Sequence, residues 1–128
     1  MIRWCRIIKM DKLRSYKELQ IWKVSMDFVL EVYKLTDKFP SSELYGLTSQ
    51  IRRSSVSIPS NIAEGSCRKN TKEYIQFLYI SNGSLSEVET QLEIANKLGY
   101  LKNIEDINKK LRYMRIMLVN LIHSLQKL

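Results

Sequence analysis

The residue types on which enzyme active sites are usually built are scarce in this sequence. His123 is the only histidine, and it stands between Ile122 and Ser124 near the C-terminus. The two cysteines, Cys5 and Cys67, are far apart and form neither a zinc-spaced pair nor a disulfide framework. We therefore expect no enzymatic activity, no cofactor and no metal site, in a protein of the reducing cytoplasm.

Paired carboxylates are the remaining candidates for chemistry. Glu87 with Glu93, or Glu64 with Glu73, could be read as such pairs. Bundles that hold two metal ions use Glu-x-x-His on two helices, and one histidine cannot supply both. The sequence also has no glycine-rich phosphate loop and no His-Glu-x-x-His motif. A binding or structural function is therefore favoured.

One stretch, from Gln50 to Gly65, carries a regular polar pattern. Five polar residues recur at steps of three and four, which places them on one face of a helix: Gln50, Arg53, Ser57, Asn61 and Glu64. We call them the polar strip. We favour a structural role, in which Arg53 and Glu64 make hydrogen bonds within or between subunits and fix the helix register. The alternative is that the polar strip lines a ligand pocket.

The elements that position the polar strip are helices. The sequence predicts an all-α fold, an antiparallel up-and-down four-helix bundle with helices at about 15–39, 43–65, 70–98 and 103–127. Ser15 with Glu18, and Asn70 with Glu73, are typical helix starts, as is Asn103. Gly65 suits a left-handed cap at the end of the second helix. Pro59 predicts a kink within that helix or, alternatively, a break into two helices.

Apolar residues at steps of three and four predict the buried faces. In the third helix the face comprises Tyr74, Leu78, Ser81, Leu85, Val88, Leu92, Ala95 and Gly99. In the fourth it comprises Ile107, Leu111, Met114, Leu118, Leu121, Leu125 and Leu128. In the first we predict Leu19, Trp22, Met26, Val29 and Tyr33, widened by Ile21, Phe28 and Leu35. So wide an apolar face indicates that the helix is buried on two sides, one within its own bundle and one against something outside that bundle. Small residues at Ser81, Gly83 and Ser84 predict the close approach of another helix.

Positive charge is concentrated at the N-terminus. Five basic residues against one acidic residue in positions 1–14 supply +4 of the net charge of +8. We divide the chain into this basic extension, expected to be poorly ordered, and a bundle domain of residues 15–128. The extension could instead be a basic amphipathic segment that touches RNA or a membrane, or an upstream artefact if Met10 is the true start. No apolar run approaches the roughly 20 residues needed to cross a bilayer, so no membrane partner is expected.

The stretch from Gln50 to Gly65, read as Gln-x-x-Arg-x-x-x-Ser-x-Pro-x-Asn-Ile-Ala-Glu-Gly, also resembles the signature of the four helix bundle proteins, or 23S rRNA-intervening sequence proteins. Three shorter stretches resemble other motifs of that family: Leu19–Trp22, Phe77–Leu78 with Gly83–Glu87, and Leu98–Leu101. The resemblance covers roughly residues 15–128. It implies a bacterial helical bundle that assembles into a homopentamer, without an established enzymatic activity. It also implies a gene often lodged within an rRNA intervening sequence.

Basic residues of the bundle are the candidate contacts to nucleic acid. They are Arg52, Arg68, Lys69, Lys72, Lys109, Lys110, Arg112 and Arg115. Five-fold repetition in a ring would make them a basic wall for the phosphate backbone, whereas the alternative is a solvated face balanced by acidic neighbours. Similar pentameric bundles serve as accessory factors to reverse transcriptases in diversity-generating retroelements. We expect a homo-oligomeric adaptor for RNA, DNA or a reverse-transcriptase-like protein. The rival hypotheses are a purely structural or protein-interaction oligomer and, more remotely, a small-ligand bundle.

Overall fold

The computed structural model describes residues 16–128, which contain four α-helices and no β-strand. They are α1 (Gln20–Thr36), α2 (Leu47–Ser66), α3 (Thr71–Lys97) and α4 (Glu105–Gln126). Single turns of 3-10 helix occur at Tyr16–Glu18 and Ser41–Glu43. The basic extension 1–14 and the proposed start at Ser15 lie outside the described residues. None of the four helices combines the length and the hydropathy that a bilayer crossing requires.

Short connections make consecutive helices antiparallel, and each helix packs against two others. The contacts run from α1 to α2, from α2 to α3, from α3 to α4 and from α4 back to α1. The packing of α2 on α3 is the most extensive of these. The predicted up-and-down four-helix bundle is confirmed.

The predicted cap of α3 is also confirmed. Asn70 Oδ1 accepts the Glu73 backbone N–H at 2.8 Å, and the Asn70 amide donates to the Glu73 carboxylate at 3.1 Å. The N-cap residue of α4 is Ile104 rather than the predicted Asn103, although Asn103 Oδ1 accepts the Glu105 N–H at 3.0 Å. At the end of α3, Gly99 adopts φ +83°, and the Tyr100 N–H reaches back to the Ala95 carbonyl. This is the Schellman arrangement, which favours glycine at its left-handed position.

Gly65 has a different role from the predicted left-handed cap. It is buried within α2, and its φ is not positive. A Cβ atom at this position would lie 2.6 Å from Phe77 Cβ and 3.1 Å from a ring carbon of Tyr74. The glycine is therefore required for the close approach of α3, a constraint of packing rather than of backbone conformation.

The second helix is continuous through Pro59, as predicted, but it begins at Leu47 rather than at Glu43. Glu43 instead lies in the preceding 3-10 turn, and its carboxylate serves two elements. One oxygen accepts the Leu47 N–H at 3.1 Å, and the other accepts the Tyr100 hydroxyl at 2.9 Å. Glu43 thus caps α2 and ties it to the turn between α3 and α4.

The core follows the predicted faces of α3 and α4 closely. Every predicted position of α3 is buried except Gly99, which lies in the turn. In α4 the exposed exception is Leu128, and Ile122 is buried beside a half-buried Leu121. Of the small residues in α3, Ser81 and Ser84 are buried, whereas Gly83 is exposed and has open space around it.

The predicted buried face of α1 was only partly right: Ile21 and Phe28 enter the core as predicted, whereas the main predicted stripe does not. The residues that enter the core are Ile21, Ser25, Phe28, Val32 and Thr36. The predicted residues Met26 and Tyr33 are 39% and 42% exposed, while Leu19, Trp22 and Val29 are half-buried. Ser25 and Thr36 enter the core because each hydroxyl donates to a carbonyl of its own helix, at 2.9 Å and 2.8 Å.

Candidate functional site

The polar strip of α2 is half-buried at its centre and exposed at its ends. Ser57 and Asn61 are half-buried, whereas Gln50, Arg53 and Glu64 are exposed on the single chain. The Asn61 amide donates to the Ser57 carbonyl at 2.8 Å and to the Ser57 hydroxyl at 2.9 Å. The Ser57 hydroxyl lies 2.8 Å from the hydroxyl of Ser84 in α3. The centre of the polar strip therefore joins α2 to α3.

The two charged members of the polar strip do not pair within one chain. Glu64 instead accepts a hydrogen bond at 2.7 Å from Arg68, which lies just beyond the end of α2. A pairing of Arg53 with Glu64 of the same chain was not to be expected on one straight helix, because eleven residues span about 16 Å. Pairing between chains stays a prediction.

Arg53 borders a polar cleft of about 450 Å³ between α2 and α3. Gln50, Ser57 and Tyr45 line the same cleft, and Glu87 lines it from α3. The cleft therefore presents hydroxyl and amide groups together with one charge of each sign. Such a lining can hold polar groups of a ligand or of another subunit.

A buried hydrogen bond underneath this cleft was missed by the sequence reasoning. The Ser54 hydroxyl donates to Gln91 Oε1 at 2.7 Å, and both residues are buried. The Ser81 hydroxyl likewise donates to the Ile58 carbonyl at 2.9 Å. Gln91 stands seven residues after Ser84, the repeat of a bundle helix, and this spacing was the signal that could have found Gln91.

Arg52, Arg68, Lys110 and Arg115 are held by contacts within their own chain. Arg52 donates to Thr36 Oγ1 at 2.9 Å and to Asp37 at 3.0 Å, and its guanidinium lies 4.5 Å from the ring centre of Tyr33. Arg52 thereby fastens α2 to the end of α1. Its hydrogen-bonding capacity for phosphate is largely used.

The other three contacts are of the same kind. Arg68 pairs with Glu64 and stacks on the Phe77 ring at 4.5 Å. Lys110 pairs with Glu31 and so links α4 to α1. Arg115 joins α4 to α3 through hydrogen bonds to Asn82, Ser86 and Glu89.

The remaining basic candidates lie at two separate ends of the bundle. Lys69 and Lys72 belong to the connection between α2 and α3 and the first turn of α3. Lys109 and Arg112 are exposed in the first turns of α4. Because α3 and α4 are antiparallel and α3 is about 40 Å long, the two groups are far apart on one chain. One chain therefore offers no single basic wall built from these eight residues.

A partly exposed apolar surface covers one side of α1 and α2. Trp22, Met26 and Val29 of α1 face Val56 and Pro59 of α2 across a groove of about 370 Å³. Tyr16, Ser60 and Ala63 complete its lining. We call this surface the outer apolar face. It contains most of the predicted buried stripe of α1, so the predicted residues are grouped as expected but lie outside the core.

Titratable groups give little indication of a reaction centre. Among residues 16–128, no group of three or more His, Cys, Asp or Glu side chains is arranged to hold a metal ion. His123 and Cys67 are exposed. The hydrogen bond to Glu43 raises the pKa of the Tyr100 hydroxyl above its usual value of 10.0, with desolvation as a second cause. The hydrogen bond between Glu43 and Tyr100 therefore serves to link two connecting segments of the chain.

The chain also matches a known family along most of its length. The model for the 23S rRNA-intervening sequence protein family matches residues 17–120, which include all of α1, α2 and α3 and most of α4. The chain belongs to the 23S rRNA-intervening sequence protein family. The resemblance of the Gln50–Gly65 stretch is thereby confirmed. A search of curated proteins found no match.

Proposed function

We propose that this 23S rRNA-intervening sequence protein is a non-enzymatic homo-oligomer, a pentamer, that acts as an adaptor. Its partners are itself and RNA or DNA, or a reverse-transcriptase-like protein that handles nucleic acid. Cytoplasmic localisation is part of the proposal. The absence of an enzymatic role is supported by the sequence, in which the only histidine stands on the surface of the last helix.

The main support for the proposed assembly is the outer apolar face. An apolar surface shared by two helices, with Met26 and Val56 each 39% exposed, is typical of a surface that another chain covers. In a ring the contact between copies is heterologous, so the outer apolar face of one copy would meet a different surface of its neighbour. The polar strip, on a different side of α2, is the part that would fix the register of such contacts.

Contact with nucleic acid is supported by charge. The chain carries a net charge of +8, and a pentamer multiplies each exposed cation five-fold. Lys72, Lys109 and Arg112 are exposed on one chain and are therefore accessible candidates. Binding of this kind is electrostatic and tolerant of sequence, because it is directed at phosphate rather than at bases.

The experiment combines native mass spectrometry with a salt titration of RNA and DNA binding. We expect a pentamer at micromolar concentration and an affinity that falls steeply between low and physiological salt. A monomer contradicts the assembly. Failure of both RNA and DNA to bind even at low salt contradicts the nucleic-acid part.

The second candidate function is a structural or protein-interaction oligomer that does not bind nucleic acid. It is favoured by the internal contacts of Arg52, Arg68, Lys110 and Arg115, which use cations that a nucleic-acid surface would offer. The same titration separates the two functions, since this candidate predicts a pentamer that fails to bind RNA or DNA at any salt concentration.

A further inference from the structure

A second groove lies at the end of the bundle where α1 stops and the chain turns from α3 into α4. Its volume is about 740 Å³. Lys34 and Lys38 border it from the end of α1, and Lys102 borders it from the turn. All three lysines are exposed, and none of them was among the basic candidates taken from the sequence.

The charge of this groove is not compensated by its own chain. Among residues 16–128, none of the three lysines takes part in an ion pair. The one acidic residue of the lining, Glu31, is already paired with Lys110. Lysines at a helix C-terminus often offset the helix dipole, which accounts for Lys34 and Lys38. It does not account for Lys102, which comes from another element.

The floor of the groove is apolar. It is formed by the half-buried side chains of Leu35, Leu101 and Tyr100. The Tyr100 ring already packs against Phe39 at 5.4 Å between ring centres, and its hydroxyl is bound to Glu43. This floor suits aliphatic side chains better than nucleic-acid bases, because bases bind strongly where an aromatic face is open for stacking.

We propose that this lysine-rimmed groove binds an acidic segment of a protein partner. Carboxylates of the segment pair with Lys34, Lys38 and Lys102, and one or two leucine-sized side chains pack on the floor. Lys34 lies in the last turn of α1 and Lys38 in the turn that follows it, and both border the groove. The volume is in the range of sites that hold several side chains. Residues 1–14 of the chain carry a charge of +4, which does not complement a groove rimmed by lysines.

The inference deepens the proposed adaptor function and rests on it, since it names a surface through which a protein partner is held. The test measures fluorescence anisotropy with three labelled peptides of equal length. One alternates Glu and Leu, one alternates Glu and Ser, and one alternates Lys and Leu. A labelled single-stranded RNA is measured in parallel.

The protein variants are Lys34→Glu with Lys102→Glu, and a control, Lys23→Glu with Lys127→Glu. The control makes the same change of net charge at exposed lysines that do not line the groove. We expect the Glu/Leu peptide to bind best and to lose about ten-fold in affinity in the first variant. We expect the control to stay within about two-fold of wild type.

Three results overturn the inference. The first is no binding of the Glu/Leu peptide to the wild-type chain. The second is an equal loss in the two variants, which makes the binding a response to net charge. The third is loss of RNA binding alone in the groove variant, which makes this groove a nucleic-acid surface. RNA binding that both variants retain, with no peptide binding, overturns the groove and leaves the proposed function intact.

Discussion

The interface between α2 and α3 and the outer side of α1 are built from similar apolar residues but differ in how they are used. The α2–α3 interface is closed within one chain: Gly65 admits α3 at close range, and buried hydroxyls of Ser54 and Ser81 find partners across it. The outer side of α1 leaves Trp22, Met26 and Val29 lining an open groove. The first region accounts for the fold of one chain. The second leaves an apolar surface that only another molecule can bury.

This difference shows that apolar spacing identifies the face of a helix that enters the core only when a single face of that helix is apolar. In α3 the strict steps of three and four left one choice, and the structure buries that face. In α1 apolar residues point in several directions, and the core takes Ser25 and Thr36 while Met26 and Tyr33 stay outside. A helix that is apolar nearly all round has a second surface to bury.

The largest expected effect comes from truncating the α2–α3 side of the core. Leu85 is fully buried, so Leu85→Ala should lower the free energy of unfolding by about 2–5 kcal/mol. Met26→Ala, measured by urea denaturation at a dilution where the chain is monomeric, should cost less than about 1.5 kcal/mol, because Met26 is already partly in water. Equal losses of unfolding free energy in the two variants would contradict the proposed difference between the two regions.

The two glycines in helices offer a matched pair of substitutions. Gly65→Ala should destabilise the bundle by about 1–3 kcal/mol, because the new methyl group collides with Phe77. Gly83→Ala should stabilise it by about 0.5–1 kcal/mol, because Gly83 lies in α3 with open space around it. Thermal unfolding of both variants checks the pair. A stabilised Gly65→Ala would show that α3 can move away at little cost.

Tyr100 and Glu43 join the turn between α3 and α4 to the start of α2, and their contact predicts a pH dependence. The raised pKa of Tyr100 means that the folded state favours the protonated hydroxyl. Its contribution to stability is therefore fully present below pH 10 and is lost as the pH rises through the higher folded pKa.

Tyr100→Phe should remove this part of the stability loss above pH 10 in urea titrations. Tyr45→Phe is the control, because Tyr45 is 94% exposed and lacks this contact. If the alkaline loss is the same in wild type and Tyr100→Phe, the hydrogen bond does not contribute to folding.

The smallest expected effect on a single chain is that of Arg53→Ala. Glu64 is paired with Arg68, so it loses no partner of its own chain when Arg53 is removed. The monomer should therefore change by less than about 0.5 kcal/mol, since Arg53 is exposed. A larger effect confined to the assembled protein would show that Arg53 contacts a neighbouring copy.

Much of the fold could be predicted from the sequence because its signals are local. The cap at Asn70 and the buried face of α3 depend on residues a few positions apart. The candidate sites could not, because their contacts join distant parts of the chain. Arg115 is bound by residues of α3, and the lysines of the second groove come from α1 and from a turn far along the chain. Rules based on residue spacing within one helix do not predict contacts between residues so far apart in the sequence.

The most direct test of the account is the mass of the assembly when the outer apolar face is charged. Met26→Glu with Val56→Glu places carboxylates on both sides of the groove at positions already partly in water. The control, Ile80→Glu with Ile94→Glu, changes two exposed residues of α3. Sedimentation velocity should give a pentamer for wild type and control and a helical monomer for the first variant. A wild-type monomer, or a charged variant that keeps the full mass, would contradict the claim that another copy covers this face.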